Sequence, residues 1–256
     1  MVARREIVAF LDNLLDIAGW DSLDASRNGL QVWGREEGTL VLGATDASQE
    51  LLDIAGERDT FMVIVHHGLF WADIQRVDQV MKNRLKSLFR QDVNLYASHL
   101  PLDAHPTLGN NAQLLEKLGV RNLTPFGLYR GRKVGFQGTL PQTHPFPQFG
   151  EDFKHLLNAK DVVIMPHGPD TCKSVGIVTG SASSSLVAEA AMAGIDTLLT
   201  GEAGHTFFHL SKEYHVNIIA GGHYATETWG IQALLRAIQR QFPATETEFI
   251  SLPTGF

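Results

Sequence analysis

The stretch Phe61-Met62-Val63-Ile64-Val65-His66-His67 decides how this chain is read. Five apolar residues run together with no polar alternate, the pattern of a strand buried on both faces in a parallel, helix-covered sheet. Two imidazoles then follow at its C-terminal end, the end at which parallel α/β sheets collect their active sites.

Working outward, strand and helix alternate. Leu40 to Ala44 reads as a strand, Gln49 to Glu57 as a helix, Val80 to Arg90 as a helix, and Val93 to Ala97 as a strand. Asn111 to Leu118 reads as a helix, and an amphipathic first helix carries Ile7, Phe10, Leu11, Leu14, Leu15 and Ala18, closed by Gly19. From Thr124 to Gly150 the pattern is irregular and rich in Gly and Pro, with Arg130-Gly131-Arg132-Lys133 expected as a solvated turn before a strand. The alternation resumes with strands at Val162 to Met165, Ser174 to Val178, Thr197 to Leu199 and Val216 to Ala220. Helices interleave at Ser184 to Ala193, Phe207 to Tyr214 and Thr228 to Gln241. The fold class expected is α/β with mostly parallel strands.

The two halves look alike. Val93-Asn94-Leu95-Tyr96-Ala97-Ser98-His99 lies over Val216-Asn217-Ile218-Ile219-Ala220-Gly221-Gly222-His223 with one extra glycine, and the segments go on to Asp103 and Glu227. Upstream, the strand-helix-strand from Leu40 to Val65 mirrors that from Ser174 to Leu199. The first copy ends in His66-His67 and the second in Gly201-Glu202. The expectation is an internal pseudo-duplication: one compact domain over 1–256, with approximate halves 1–124 and 125–256, no inserted domain, and a metal site between the halves.

Imidazoles and carboxylates delivered from several strand ends form the ligand set of a divalent-metal site. Successive strand residues point to opposite faces, so His66 and His67 are expected to serve different ions, with Asp103 or Glu227 bridging them. Two divalent ions against two carboxylates leave excess positive charge, which an anionic substrate such as a phosphate would relieve. Ligands too few to close two coordination shells imply a catalytic rather than a structural site.

The other chemistries are weaker. His205 and His209 have i, i+4 spacing, but no Glu follows His205 as a zinc-protease helix requires, and they are read as solvated. The segment Gly180 to Ser185 lacks the Gly-Lys-Ser/Thr of a phosphate loop, so helix capping by Ser183 or Ser184 is expected. The single cysteine, Cys172, excludes an internal disulfide and a cysteine zinc cage. A net charge of -7 gives no general attraction to nucleic acid or anionic lipid, and no apolar run reaches membrane-spanning length. The expected location is cytoplasmic.

Several motifs, in order along nearly the whole chain, resemble one family. They are Asn28-Gly29-Leu30-Gln31-Val32, Val65 to Trp71, Ser98 to His105, Leu108 to Asn111, Thr200-Gly201-Glu202 and Gly222 to Glu227. The family is the GTP cyclohydrolase 1 type 2 homologues, the Nif-three-like dinuclear-metal proteins. The resemblance implies that His66, His67, Asp103, His223 and Glu227 hold two divalent ions, with Glu227 touching both. Zinc, iron, manganese and nickel all suit those donors. It implies His99 close by as a supporting group or occasional ligand, and Glu202 as general base or orienting group. It also implies ring-shaped homohexamers. The function expected is metal-dependent hydrolysis of a small anionic substrate, with a nucleotide such as GTP as the named candidate. The alternative is a non-catalytic metal-holding ring that recruits partners.

Overall fold

The computed structural model describes residues 1–72 and 76–256. In chain order the first elements are β1 (Val2–Ala3), α1 (Arg4–Leu14), a 3₁₀ turn (Ile17–Trp20), β2 (Gly29–Val32), β3 (Glu37–Gly38), β4 (Leu40–Asp46) and α2 (Gln49–Gly56). Then come β5 (Thr60–His67), α3 (Gln79–Gln91), β6 (Asn94–Ala97), α4 (Leu100–Asp103), α5 (Asn110–Lys117), β7 (Arg121–Tyr129) and β8 (Arg132–Pro145). The remainder is α6 (Phe146–Leu157), β9 (Val163–Met165), β10 (Thr171–Ser181), α7 (Ser185–Met192), β11 (Thr197–Glu202), α8 (His205–Tyr214), β12 (Asn217–Ala220), α9 (His223–Thr226), α10 (Thr228–Gln241) and β13 (Glu246–Phe249). Contacts group these into two compact units, Met1–Leu102 with Gly230–Leu252, and Asp103–Trp229 with Pro253–Phe256.

The first unit is a five-stranded sheet in the order β13-β4-β5-β6-β2. β4, β5 and β6 run parallel, and β2 closes one edge antiparallel to β6. β5 sits at the centre, and Phe61 through Val65 are fully buried, as an unbroken apolar run requires. Val63 and Val65 pack with Leu51 and Leu52 of α2 and Leu88 of α3. α10 covers the sheet at Gly43, where a Cβ would lie 2.7 Å from Ile231 and Leu235, so the small residue admits the helix. Each such apolar side chain taken from water contributes about 1.5–3 kcal/mol before ordering costs.

The second unit is a six-stranded sheet, β7-β8-β10-β11-β12-β9. β10, β11 and β12 are parallel, while β9 closes the edge beside β12 antiparallel. One set of strand residues, Ile177, Leu199 and Ile219, packs with Phe149 and Phe153 of α6. The alternate set, Leu198 and Ile218, packs with Val187 of α7 and Phe207 of α8.

Three elements depart from the sequence reading. The irregular middle is a long hairpin, β7 with β8, turned at Arg130 and Gly131, which both have positive φ (46° and 88°) as a tight type I′ connection demands. Its prolines and glycines mask a strand whose outer residues are exposed. β13 was not foreseen because Glu246-Thr247-Glu248-Phe249 is a polar edge strand, supported only by its parallel pairing with β4. The first helix ends at Leu14, and Asp16 adopts a left-handed conformation (φ 51°) before the 3₁₀ turn.

Candidate metal centre

In the first unit every candidate donor lies at the C-terminal end of a parallel strand. His66 and His67 end β5, Asp46 ends β4, and Ser98 and His99 follow β6. One ligand atom each from His66, His67 and His99 lies within 4.8 Å of the others. His66 is fully buried, and His67 and His99 are partly so.

The rings of His66 and His67 lie side by side rather than on opposite faces, with centroids 4.8 Å apart and planes tilted by 50°. Strand alternation governs residues within a ladder, but these two end one, and bonds to neighbouring strands redirect them. His66 Nδ1 lies 2.8 Å from the Ser98 carbonyl oxygen, and His67 Nδ1 lies 2.8 Å from Asp46 Oδ1. His99 Nδ1 lies 2.9 Å from Asp24 Oδ1. Carbonyl and carboxylate oxygens only accept, so each Nδ1 carries the hydrogen and donates it. With that hydrogen on Nδ1, Nε2 is the ring nitrogen that can ligate, the tautomer a metal-binding histidine needs.

Asp24 is buried and receives four hydrogen bonds, from His99 Nδ1, Leu100 N–H, Ser26 N–H and the Asn28 amide. Burial alone would raise its pKa, but the bond from His99 and the others outweigh it and hold the carboxyl below its ordinary value. Asp24 therefore stays charged and keeps His99 oriented.

In the second unit the donors are mostly acids. Asp103, 5% exposed, ends α4, and its Oδ1 accepts from the Asn110 amide at 2.9 Å and Thr179 Oγ1 at 3.2 Å. Glu227, 2% exposed, follows α9, and the carboxylates of Asp103 and Glu227 offer oxygens within 4.8 Å of each other. Two buried acids this close call for a compensating cation. His223 supplies part of it, with Nε2 3.1 Å from Glu227 Oε2 and Nδ1 2.8 Å from Glu202 Oε1. Glu227 foremost, and Glu202 behind it, push the His223 pKa up to about 9 against the lowering effect of burial.

Gly180, at the end of β10, shapes this pocket of charge. Its φ is +66°, and a Cβ there would lie 2.0 Å from Glu227 Oε1, so a side chain would displace the carboxylate. Imidazole nitrogens of one tautomer, paired buried acids and this glycine cradle all fit divalent metal.

All seven sequence candidates thus fall at strand or turn ends, His66, His67 and His99 in the first unit, and Asp103, Glu202, His223 and Glu227 in the second. Glu202 is seen orienting His223. Sequence reasoning missed Asp24, Asp46 and Gly180. Asp46 had a signal, since it ends the strand beside β5 and pairs with His67 in register. Asp24 had none, because its link to His99 spans 75 residues of chain. His205 and His209 are exposed on α8, and His167 is tied to Ser211 Oγ. Of the two serines expected to cap α7, Ser184 makes no cap bond, while Ser183 Oγ accepts from the Ser185 N–H at 3.4 Å in the first turn.

Fold and site together define an α/β protein carrying His, Asp and Glu groups that could hold metal. The model of the Duf34/NIF3 (NGG1p interacting factor 3) family matches residues 2–254, and the chain belongs to that family. It is 40% identical to a "GTP cyclohydrolase 1 type 2 homolog" of Pyrococcus horikoshii over 98% of this chain and 99% of that one. It is 38% identical to a protein of the same name from Deinococcus radiodurans, over 99% and 95%. A crystal structure from Thermus thermophilus superposes with a TM-score of 0.89 at 36% identity, covering all of both chains.

Proposed function

We propose that the protein is a metal-dependent hydrolase of a small anionic substrate, with a nucleotide such as GTP as the first candidate. His66, His67, Asp103, His223 and Glu227 would hold the two divalent ions of this reading. The observation that carries this reading is the common setting of three imidazoles beside the buried acids: His66, His67 and His99 each have Nδ1 against an accepting oxygen, the tautomer a metal-binding histidine uses. The names of the relatives support the choice of GTP.

Divalent ions in such a set supply Lewis acidity and lower the pKa of water toward neutrality. The chain's own residues do the rest. Asp24, Asp46 and Glu202 hold the imidazoles in one tautomer, and Asn110 and Thr179 aim the Asp103 carboxylate. Glu202, half exposed, accepts the His223 Nδ1 hydrogen and would orient that ring toward the ion.

Elemental analysis of freshly purified protein, alongside His67→Ala and Glu227→Ala, tests the reading. Metal should be present in the parent and lost from both variants, together with any hydrolysis of GTP. Turnover retained in a metal-free variant overturns it. Stoichiometric metal without turnover of any nucleotide or phosphoester tested would favour a non-catalytic ring instead. A homohexameric, cytoplasmic protein is part of the same proposal, and light scattering of the purified chain checks the assembly.

A further inference from the structure

Trp71 stands against the imidazole cluster of the first unit, yet has no part in metal ligation. Its ring centroid is 5.1 Å from that of His99, edge-on, and 6.2 Å from that of His67. It remains partly exposed although it is a large aromatic residue. Its indole N–H donates to the Gly68 carbonyl at 3.1 Å, so the polar end is already used inside the turn. What the side chain can still offer is an apolar, π-rich surface.

The ring is also held in place. Trp71 forms an antiparallel bridge with Ser26, flanked by bonds from Arg27 N–H to the Phe70 carbonyl and from Ala72 N–H to the Ala25 carbonyl. Gln31 Oε1 accepts from the N–H groups of Leu69 and Phe70, clamping the turn that leads to it. A ligand meeting this ring spends little entropy ordering it. Trp33 makes the contrast. It is 70% exposed, but Arg4 lies over its ring at 4.7 Å, so the chain already supplies a partner for that face.

We propose that Trp71 is a stacking platform that selects, among anionic substrates, those carrying a planar heteroaromatic ring. The placement beside three Nε2 donors would put such a ring next to the reacting group. The inference rests on the proposed function for the reaction, but base binding by Trp71 does not itself require metal.

The test compares guanosine monophosphate with ribose 5-phosphate, which has the phosphate and sugar but no base. Both are titrated calorimetrically into the purified protein, Trp71→Ala and Trp71→Phe, with metal content measured in parallel. The parent should bind the nucleotide about tenfold or more tightly than the sugar phosphate, the scale of one base–aromatic stack. Trp71→Ala should remove that preference while leaving ribose 5-phosphate affinity and metal content unchanged, and Trp71→Phe should keep most of it. Quenching of tryptophan fluorescence by the nucleotide should weaken in Trp71→Phe. Equal affinities in the parent, no nucleotide binding, or an equal loss for both ligands in Trp71→Ala overturns the platform. Loss of metal in Trp71→Ala would instead assign the ring a role in packing His99, and also overturns it. Absence of metal from the parent fails the hydrolase reading separately.

Discussion

The two units use one arrangement of strands for opposite chemistry. Each contains a run of three parallel strands, β4-β5-β6 and β10-β11-β12, with an antiparallel strand closing the edge beside the third, β2 in one and β9 in the other. The correspondence reaches single side chains. Asn94 accepts from Gly34 N–H and donates to the Arg35 carbonyl, while Asn217 accepts from Gly168 N–H and donates to the Pro169 carbonyl. At the functional strand ends the chemistry differs. The first unit offers three imidazoles, and the second offers two buried carboxylates and one imidazole. A shared scaffold therefore sets where polar groups emerge, and local sequence sets their charge.

The sharpest way to break the comparison is Gly180→Ala. The methyl group would collide with Glu227 at a residue of positive φ, whereas Gly68 beside the imidazole cluster, though crowded by Gln31 and Ala97, has no positive φ. Metal binding should fall below detection by elemental analysis, with about 1–3 kcal/mol of stability lost in a urea titration.

The carboxylates behind the imidazoles come next. Asp24 is 1% exposed at its side chain and Glu202 is 49% exposed. Asp24→Asn should weaken metal affinity toward the upper end of the roughly 10–100-fold range for such supporting groups, and Glu202→Gln toward the lower end. Competition with a chromophoric chelator measures both. Equal losses would mean that burial of the supporting acid does not matter.

A smaller effect concerns pH in the metal-free protein. His223 has a folded pKa raised from 6.5 to about 9, chiefly by Glu227. Its stabilising contribution is complete below pH 6.5 and is lost as pH rises through about 9. Melting temperature should therefore decline across that window, by the equivalent of about 1–2 kcal/mol once solvent screening is allowed for. Metal loading replaces the proton, so the loaded protein should show a flatter profile. A metal-free protein with no decline would sink this assignment.

The smallest expected signal is at Cys172, whose thiol is driven up to about 12 chiefly by burial in the second unit's core. A disulfide reagent at pH 8 should leave it unmodified in the native state and titrate it fully in denaturant.

Much of this was legible in the residue order. The buried centre of β5, the strand-helix alternation and the donors at strand ends follow from apolar periodicity and polar interruption. The β7–β8 hairpin and β13 escaped because their prolines, glycines and exposed polar residues carry no apolar signal. Within the site, His66, His67 and His223 are conspicuous, whereas Asp24 is an ordinary acid in a loop until folding sets it against His99.

By itself, then, the sequence determined which segments must be buried and which polar groups emerge at their ends, because burial pattern is local and periodic. Only the tertiary structure decided the direction of each imidazole, the tautomer it keeps, and the glycine that makes room for Glu227. Those depend on hydrogen bonds and clearances between residues tens of positions apart, and no local pattern encodes them.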